Sequence, residues 1–274
     1  MNITAATRTF ALLGDPVEHS LSPLIQNAAL QAAKRDAVYL ALSCHEDDVP
    51  SVMRTLAGGN ITIPHKGVAV GALDRATDRV RRTGACNTFW TDRGRLFGDN
   101  TDVIGFSVAL RRLLPDPAGV RVLIVGAGGA ARAALHALLE DDADEIVVIA
   151  RHRGRRKEIE AVAGRRTRRV RVVASERKIR GEGFDLVVNA TPLGLRERDA
   201  APLRLEKLAA VRAVFDMVYT PKGTAWSRRA DQAGIPAMDG TEMLLQQAAA
   251  AFEIWWQREA PMKAMRAAIA APRR

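Results

Sequence analysis

Val120-Arg121-Val122-Leu123-Ile124-Val125-Gly126-Ala127-Gly128-Gly129-Ala130-Ala131 is the stretch that decides the fold. Six largely apolar residues of strand length run straight into a glycine-rich turn of the form G-x-G-x-x-A. The Ala/Leu-rich segment Ala131–Leu139 follows with helical character. Strand, glycine turn and helix in that order form the opening unit of a dinucleotide-binding fold. Gly126 permits the tight turn, Gly128 lets the backbone approach a pyrophosphate, and the small Ala131 lets helix and strand pack closely. The helix start offers N–H groups and a positive dipole end to phosphates.

Reading onward, Glu145–Ile149, Arg169–Val173, Leu186–Asn189 and Ala213–Val218 are further apolar runs of strand length, separated by helix-like segments. Continuous apolar strands alternating with helices predict a parallel sheet covered on both faces. The end of the second strand reports the cofactor. An acid there would bind a ribose hydroxyl and select NAD. The chain has Ala150-Arg151-His152-Arg153 instead, and arginine suits a 2′-phosphate through its planar fork and fixed charge.

Reading backward, the first half mixes strands and helices. Arg8–Leu13 reads as a strand. Ser22-Pro23 opens a helix, with Ser22 as N-cap and Pro23 at the first helical position; Leu24, Ile25, Ala28, Ala29 and Ala32 line one face. Val38–Ser43 is a strand, Asp47–Leu56 a helix, and Asn60–Ile63 a strand stopped by Pro64. A hairpin joins Asn87–Thr91 to Arg95–Gly98 through Asp92-Arg93-Gly94, and a helix over Asp102–Leu114 leads to the boundary signal Pro115-Asp116-Pro117. Two Ala-rich helices close the chain, over Glu242–Trp256 and Pro261–Ala270, the last of them expected to return to the first domain.

Length and composition bound the function. At 274 residues two domains are the natural expectation. The two cysteines, Cys44 and Cys86, form no CxxC or Cys/His cluster, which argues against a zinc site and a disulfide scaffold and for a reducing cytoplasm. No apolar run approaches the ~18 residues of a membrane span. The net charge of +10 sits in one stretch, Arg151–Arg180, with 13 Lys/Arg against 3 Asp/Glu. That stretch holds no aromatic residue on which a base could stack, so it reads as a solvated basic face and not as a nucleic-acid site.

Several polar clusters exceed what a fold requires. They are Gly14-Asp15-Pro16-Val17-Glu18-His19-Ser20-Leu21-Ser22-Pro23; Gly59-Asn60-Ile61-Thr62-Ile63-Pro64-His65-Lys66; Gly84-Ala85-Cys86-Asn87-Thr88; and Gly98-Asp99-Asn100-Thr101-Asp102. With Asn189-Ala190-Thr191-Pro192-Leu193-Gly194 and Met243-Leu244-Leu245-Gln246-Gln247-Ala248, they resemble, in order and over nearly the whole chain, the signature blocks of the shikimate dehydrogenase family. The resemblance implies an α/β fold: a mixed-sheet substrate-binding and catalytic domain over 1–103, with 240–274 returning to it, and an NADP-binding Rossmann domain over 104–239.

It also implies roles. Ser20 and Ser22 match serines that bind the substrate carboxylate; Thr62, Asn87 and Gln247 match residues that bind its hydroxyls; Tyr219 matches a tyrosine near the substrate. Lys66 and Asp102 match the catalytic pair. Gly126, Ala127, Gly128, Gly129 and Ala130 match the phosphate loop, and Arg151, Thr191, Met217 and Gly240 the rest of the cofactor side. The implied activity is reversible NADPH-dependent reduction of 3-dehydroshikimate to shikimate, with no metal, no membrane, and a monomer or homodimer. Relatives often carry Asn-Arg-Thr where this chain has Ala150-Arg151-His152, and usually one glutamine where it has Gln246-Gln247. The distance from Met243 assigns the substrate role to Gln247.

The residues support this chemistry independently. Reducing a ketone needs a hydride on carbon and a proton on oxygen. A lysine whose pKa responds to desolvation is a suitable donor, and a nearby aspartate would hold the ammonium. Asp102 could also serve as a helix N-cap. His19 and His65 read as structural neighbours. Two other readings are a quinate/shikimate dehydrogenase using NAD(P), and a non-catalytic dinucleotide-binding regulator. Quinate-active relatives tend to carry threonine where this chain has Ser22, and a regulator would not need both Lys66 and Asp102.

Overall fold

The structure is a computed structural model that describes residues 3–196, 198–220 and 223–270. The chain forms two compact units. One comprises the residues up to Gly105 together with those from Leu244 onward; the other is Phe106–Met243.

The first unit is built on a six-stranded mixed sheet. Its elements are β1 (Arg8–Gly14), α1 (Ser22–Ala32), β2 (Ala37–Ser43), α2 (Val49–Thr55), β3 (Gly58–Ile61), α3 (Val68–Ala72), β4 (Arg75–Ala76), α4 (Asp78–Thr83), β5 (Thr88–Asp92), β6 (Arg95–Asp99) and the start of α5 (Thr101–Leu113). The strand order is β2-β1-β3-β5-β6-β4. β2, β1 and β3 run parallel, β5 is antiparallel to β3 and β6, and β4 is parallel to β6. The β5–β6 hairpin turns on Arg93 and Gly94, both at positive φ (48° and 74°), as a two-residue turn matched to strand twist requires.

The period-two alternation of β1 sends its side chains to two cores. Ala11 and Leu13 pack with Met53, Ala69 and Phe89. On the other face Phe10 meets Trp255, with ring centroids 4.9 Å apart. Trp255 lies on α9 (Thr241–Trp256), and its indole N–H donates to the Phe89 carbonyl at 3.0 Å. The last helix, α10 (Met262–Ala270), packs on α1. The expected return of chain 240–274 ends, for residues 271–274, outside the described residues.

The second unit has an all-parallel sheet: β7 (Arg121–Val125), α6 (Gly129–Glu140), β8 (Glu145–Ile149), α7 (Arg153–Ala163), β9 (Val170–Val173), β10 (Gly183–Asn189), β11 (Ala210–Asp216), α8 (Ala225–Gln232) and β12 (Ala237–Met238). Its order is β12-β11-β10-β7-β8-β9. The chain therefore winds outward from β7 in one direction and then from β10 in the other, so β7 and β10 flank the switch point where open α/β sheets bind ligands. Leu123, Val147, Val187 and Val214 build the core on one face with Trp226, and Phe106 stacks on Phe215 at 5.1 Å.

Two sequence expectations need correction. Ser22 is not the N-cap of α1: Leu21 holds that position and Ser22 is already helical, while the Ser20 hydroxyl accepts the Ser22 N–H at 3.2 Å. Asp102 is not the N-cap of α5, which starts one residue earlier at Thr101; its carboxylate sits in the first turn, where the helix dipole favours it. The short elements α3, β4 and α4 carry too little periodicity to be read from sequence. No helix among the described residues is long and apolar enough to cross a membrane.

Candidate active site

In the first unit, the C-terminal ends of β1 and β3 lie side by side. Thr62 N–H donates to the Leu13 carbonyl (2.8 Å) and Asp15 N–H to that of Ile63 (3.1 Å). Gly14 is needed here because a Cβ would run into the Thr62 side chain. The turn after Thr62 passes through the cis Ile63-Pro64 bond to His65 and Lys66. His65 is buried and its Nε2 lies 2.9 Å from the Cys44 carbonyl, which suits the structural role expected of it. The Lys66 carbonyl accepts the Cys86 N–H at 2.8 Å and so anchors the lysine to the segment before β5.

Lys66 Nζ reaches Asp102 Oδ2 at 2.5 Å, with side chains 16% and 7% exposed. This is a charge-assisted bond in a largely desolvated setting. Asp102 Oδ1 accepts from Asn87 Nδ2 at 2.8 Å, and that nitrogen also approaches Gln247 Oε1 at 3.5 Å. Four of the residues singled out in the sequence (Lys66, Asn87, Asp102 and Gln247) thus form one hydrogen-bonded cluster. Gln247 donates its own Nε2 to the Leu244 carbonyl at 2.8 Å, which fixes its orientation.

Behind this cluster is a layer whose roles the sequence does not disclose. Asn87 Oδ1 accepts from Thr101 N–H (2.7 Å), Thr101 Oγ1 (3.1 Å) and Thr88 Oγ1 (3.0 Å). Asn60 Nδ2 donates to Thr88 Oγ1 and the Asn87 carbonyl, and Tyr39 OH donates to Asn60 Oδ1 at 2.7 Å. Asp99 closes the layer, gripped by Arg79 and Thr77. The signal is present in the sequence as polar residues ending β3 and β6, but their partners are distant in the chain. Ser20 lies in the loop before α1; Ser22, in the helix's first turn, is 6% exposed, and its hydroxyl makes no hydrogen bond among the described residues.

In the second unit, Gly126 sits at φ +117°, and a Cβ there would stand 2.8 Å from the Ala190 carbonyl oxygen at the switch point. Gly128 is the N-cap residue of α6 and has open space where a Cβ would be. The first-turn N–H groups of Gly129, Ala130 and Ala131 have no intrahelical acceptor. Together, open backbone and unpaired N–H groups fit an anionic phosphate, and Ala127 completes the loop. Arg151 is exposed two residues beyond β8 and makes no hydrogen bond or ion pair among the described residues.

Thr191 turns back on Asn189 Oδ1 through its N–H (3.0 Å) and hydroxyl (2.7 Å). Met217 follows β11, and Gly240 lies so close to the Met217 carbonyl that a Cβ there would collide with it. Tyr219 also follows β11 and belongs to this unit, apart in the chain from the Lys66 cluster. Among the described residues no three His, Cys, Asp or Glu side chains form a metal-binding group.

A family model for the shikimate dehydrogenase substrate binding domain matches residues 12–89, and one for the shikimate 5′-dehydrogenase C-terminal domain matches residues 240–270. The chain is 36% identical to shikimate dehydrogenase (NADP(+)) of Synechocystis sp., over 98% of this chain and 97% of that one. Shikimate dehydrogenase from Aquifex aeolicus has a similar structure, with a TM-score of 0.88 at 30% identity over 98% of this chain and 100% of that one. The Thermus thermophilus enzyme, shikimate 5-dehydrogenase solved in complex with NADP(H) and shikimate, gives a TM-score of 0.82 at 34% identity over 96% of this chain and 98% of that one. With full-length likeness added to a lysine–aspartate pair and a glycine turn at a Rossmann switch point, the chain belongs to the shikimate dehydrogenase family.

Proposed function

We propose that this protein catalyses the reversible NADPH-dependent reduction of 3-dehydroshikimate to shikimate, a step of chorismate and aromatic amino acid biosynthesis. The observation that carries the reading is the Lys66–Asp102 pair at 2.5 Å, tied to Asn87 and Gln247. The first unit, with the returning C-terminal helices, holds the substrate; the second holds the dinucleotide. The free thiols of Cys44 and Cys86 suit a reducing compartment, the cytoplasm.

Bound to the second unit, NADPH supplies the hydride. Gly126, Ala127, Gly128, Gly129 and Ala130 offer their backbone to its pyrophosphate, and Arg151 its guanidinium to the 2′-phosphate. Thr191, beside Gly126, and Met217, whose backbone Gly240 approaches, complete the cofactor side. Ser20 and Ser22 take the substrate carboxylate. Thr62, Asn87 and Gln247 orient its hydroxyls.

Lys66 carries the proton. As the ketone carbon gains hydride, its C=O π electrons move to oxygen, and the Lys66 ammonium delivers a proton there. Asp102 keeps that ammonium aimed, and Asn87 keeps Asp102 from turning away. In the oxidative direction neutral Lys66 takes the hydroxyl proton. The test is a turnover assay crossing shikimate and quinate with NADP and NAD. Shikimate with NADP should be the best pair; no turnover of shikimate with either dinucleotide would defeat the assignment.

A further inference from the structure

Asp216 is a carboxylate in an unusual place. It is the last residue of β11, fully buried, at the ligand-binding edge of the parallel sheet. Its cross-strand neighbour in register is Asn189, the last residue of β10. Asp216 Oδ1 accepts from Asn189 Nδ2 (2.8 Å) and Val218 N–H (3.1 Å), and Oδ2 accepts from Thr224 Oγ1 (2.5 Å). All three partners act as donors. The Thr224 oxygen accepts the Ser227 N–H at 3.0 Å, and of the two acceptors within reach of its own hydrogen Asp216 Oδ2 at 2.5 Å is nearer than Ser227 Oγ at 3.1 Å.

Burial pushes the Asp216 carboxyl up from its ordinary range, and the hydrogen bonds from Thr224, Val218 and Asn189 pull against that shift. A buried acid held only by neutral donors is a costly way to stabilise a fold; an apolar residue of similar size serves as well or better. What this acid does is join three loops. Through Asn189 it reaches Thr191, whose N–H and hydroxyl both bond Asn189 Oδ1. Through Val218 it fixes the backbone beside Met217, and through Thr224 it ties down the start of α8.

The strand order gives these loops a place on a bound dinucleotide. β8, ending near Arg151, flanks β7 on one side; β10 and β11 flank it on the other. A dinucleotide whose pyrophosphate sits at the β7 turn and whose 2′-phosphoadenosine lies toward Arg151 has its nicotinamide half toward Thr191 and Met217. We propose that Asp216 is a positioning residue for the nicotinamide half of the cofactor, acting through the Thr191 and Met217 loops; this rests on the reading of the second unit as the NADP-binding one.

The experiment compares two ligands by direct binding to the full-length protein: NADP+ and its 2′-phosphoadenosine fragment, which lacks the nicotinamide half. In Asp216→Asn the amide can keep both donors on Oδ1, but its NH2 then faces the Thr224 hydroxyl and the charge is gone. NADP+ affinity should fall roughly tenfold while fragment affinity stays within about twofold. Thr224→Val, which removes one donor only, should show a smaller loss with the same selectivity and covers the case of an unfolded Asp216→Asn. Unchanged NADP+ binding, or equal losses for both ligands, would overturn the proposal. A wild-type protein that binds neither ligand would instead overturn the NADP reading beneath it.

Discussion

The Asn87 side-chain nitrogen donates to Asp102 Oδ1 at 2.8 Å, while the opposite carboxylate oxygen holds Lys66. The amide cannot turn over, because its oxygen already accepts from Thr101 and Thr88. Asn87, proposed to meet a substrate hydroxyl, thus also fixes the orientation of the acid that fixes the lysine. Asn87→Asp keeps the accepting oxygen but sets a second carboxylate against Asp102, and two carboxylates at one site drive one pKa up. We expect kcat to fall roughly 10- to 100-fold with its acidic limb moved to higher pH. A pH–rate profile matching the wild type would rule this coupling out.

Removing Lys66, the proposed proton carrier, should cost more. Lys66→Ala is expected to lower kcat by about 100-fold or more, the usual scale for a positioned acid–base group. The Michaelis constant for shikimate should change much less, since the groups proposed to hold its carboxylate and hydroxyls remain. Steady-state kinetics in both directions check this, and near-normal kcat would mean that another group carries the proton.

Substrate choice follows from the carboxylate end. Quinate adds a hydroxyl beside the carboxylate, the group proposed to meet Ser22, which is 6% exposed in the first turn of α1. We expect kcat/KM for shikimate to exceed that for quinate by at least ~10-fold, on the order of 1.4 kcal/mol in transition-state binding. Equal use of the two would move the protein to the quinate/shikimate class.

Much of this is legible from sequence because it is local. The β7 turn, the apolar strands of the second sheet and the hairpin at Arg93-Gly94 are each set by a few consecutive residues. Lys66 and Asp102 stand out because a lysine past a strand end and an acid at a helix start occur in clusters too polar for packing alone. What escapes is nonlocal. Nothing in the chain says that Thr101 bonds Asn87, that Tyr39 reaches Asn60 across 21 positions, or that Asp216, inside the apolar run Ala213–Val218, lies beside Asn189. The basic stretch is legible only in part: its excess charge is largely exposed, yet Arg171 bonds Glu145 and Glu182, and Arg169 bonds Asp142.

Arg121, the first residue of β7, organises an electrostatic centre at the opposite end of that strand from the glycine turn. Its guanidinium bonds Glu145 at 2.5 Å, Glu182, and the Gly183 carbonyl at 2.6 Å, and lies 4.6 Å from the Phe184 ring centre. The Arg121 hydrogen bond holds Glu145 below the usual carboxylate range against burial, and the Arg121 backbone N–H does the same for Asp185. Folded-state pKa values below the unfolded ones give stability that is present above the ordinary values of 4.5 and 3.8 and lost as pH falls through the lowered ones. These groups are about one-third exposed, so solvent screening limits the effect. Arg121→Ala keeps the backbone N–H that holds Asp185 but takes the guanidinium from Glu145, so it should cost about 1–2 kcal/mol at neutral pH, with the gap to wild type closing as pH falls through the lowered Glu145 value. Denaturant titrations at several pH values measure it; a gap that widens in acid would contradict the ion-pair account.

Arg151 gives the sharpest test of cofactor choice. It stands just past the end of β8, beside the β7 turn, where an NAD-selective protein would place an acid. Arg155 and Arg156 are engaged, the first with Glu158 at 2.9 Å and the second with the Ala150 carbonyl at 3.0 Å. Arg151 is exposed and makes no such bond among the described residues. Its charge is felt by Glu176, but Lys207 already holds that acid at 2.8 Å. The guanidinium is thus available to a 2′-phosphate. A hydrogen bond to a charged group contributes about 1.5–3 kcal/mol. Arg151→Ala should then weaken NADP by roughly 10- to 150-fold, at about 1.4 kcal/mol per tenfold. NAD lacks the phosphate, so its affinity should barely move, and the NADP/NAD ratio should collapse while Lys66-dependent turnover persists at saturating cofactor. Equal weakening of both dinucleotides would make Arg151 a structural residue. No change in either would pass the phosphate to another cation of the run, with Arg153 the first to substitute.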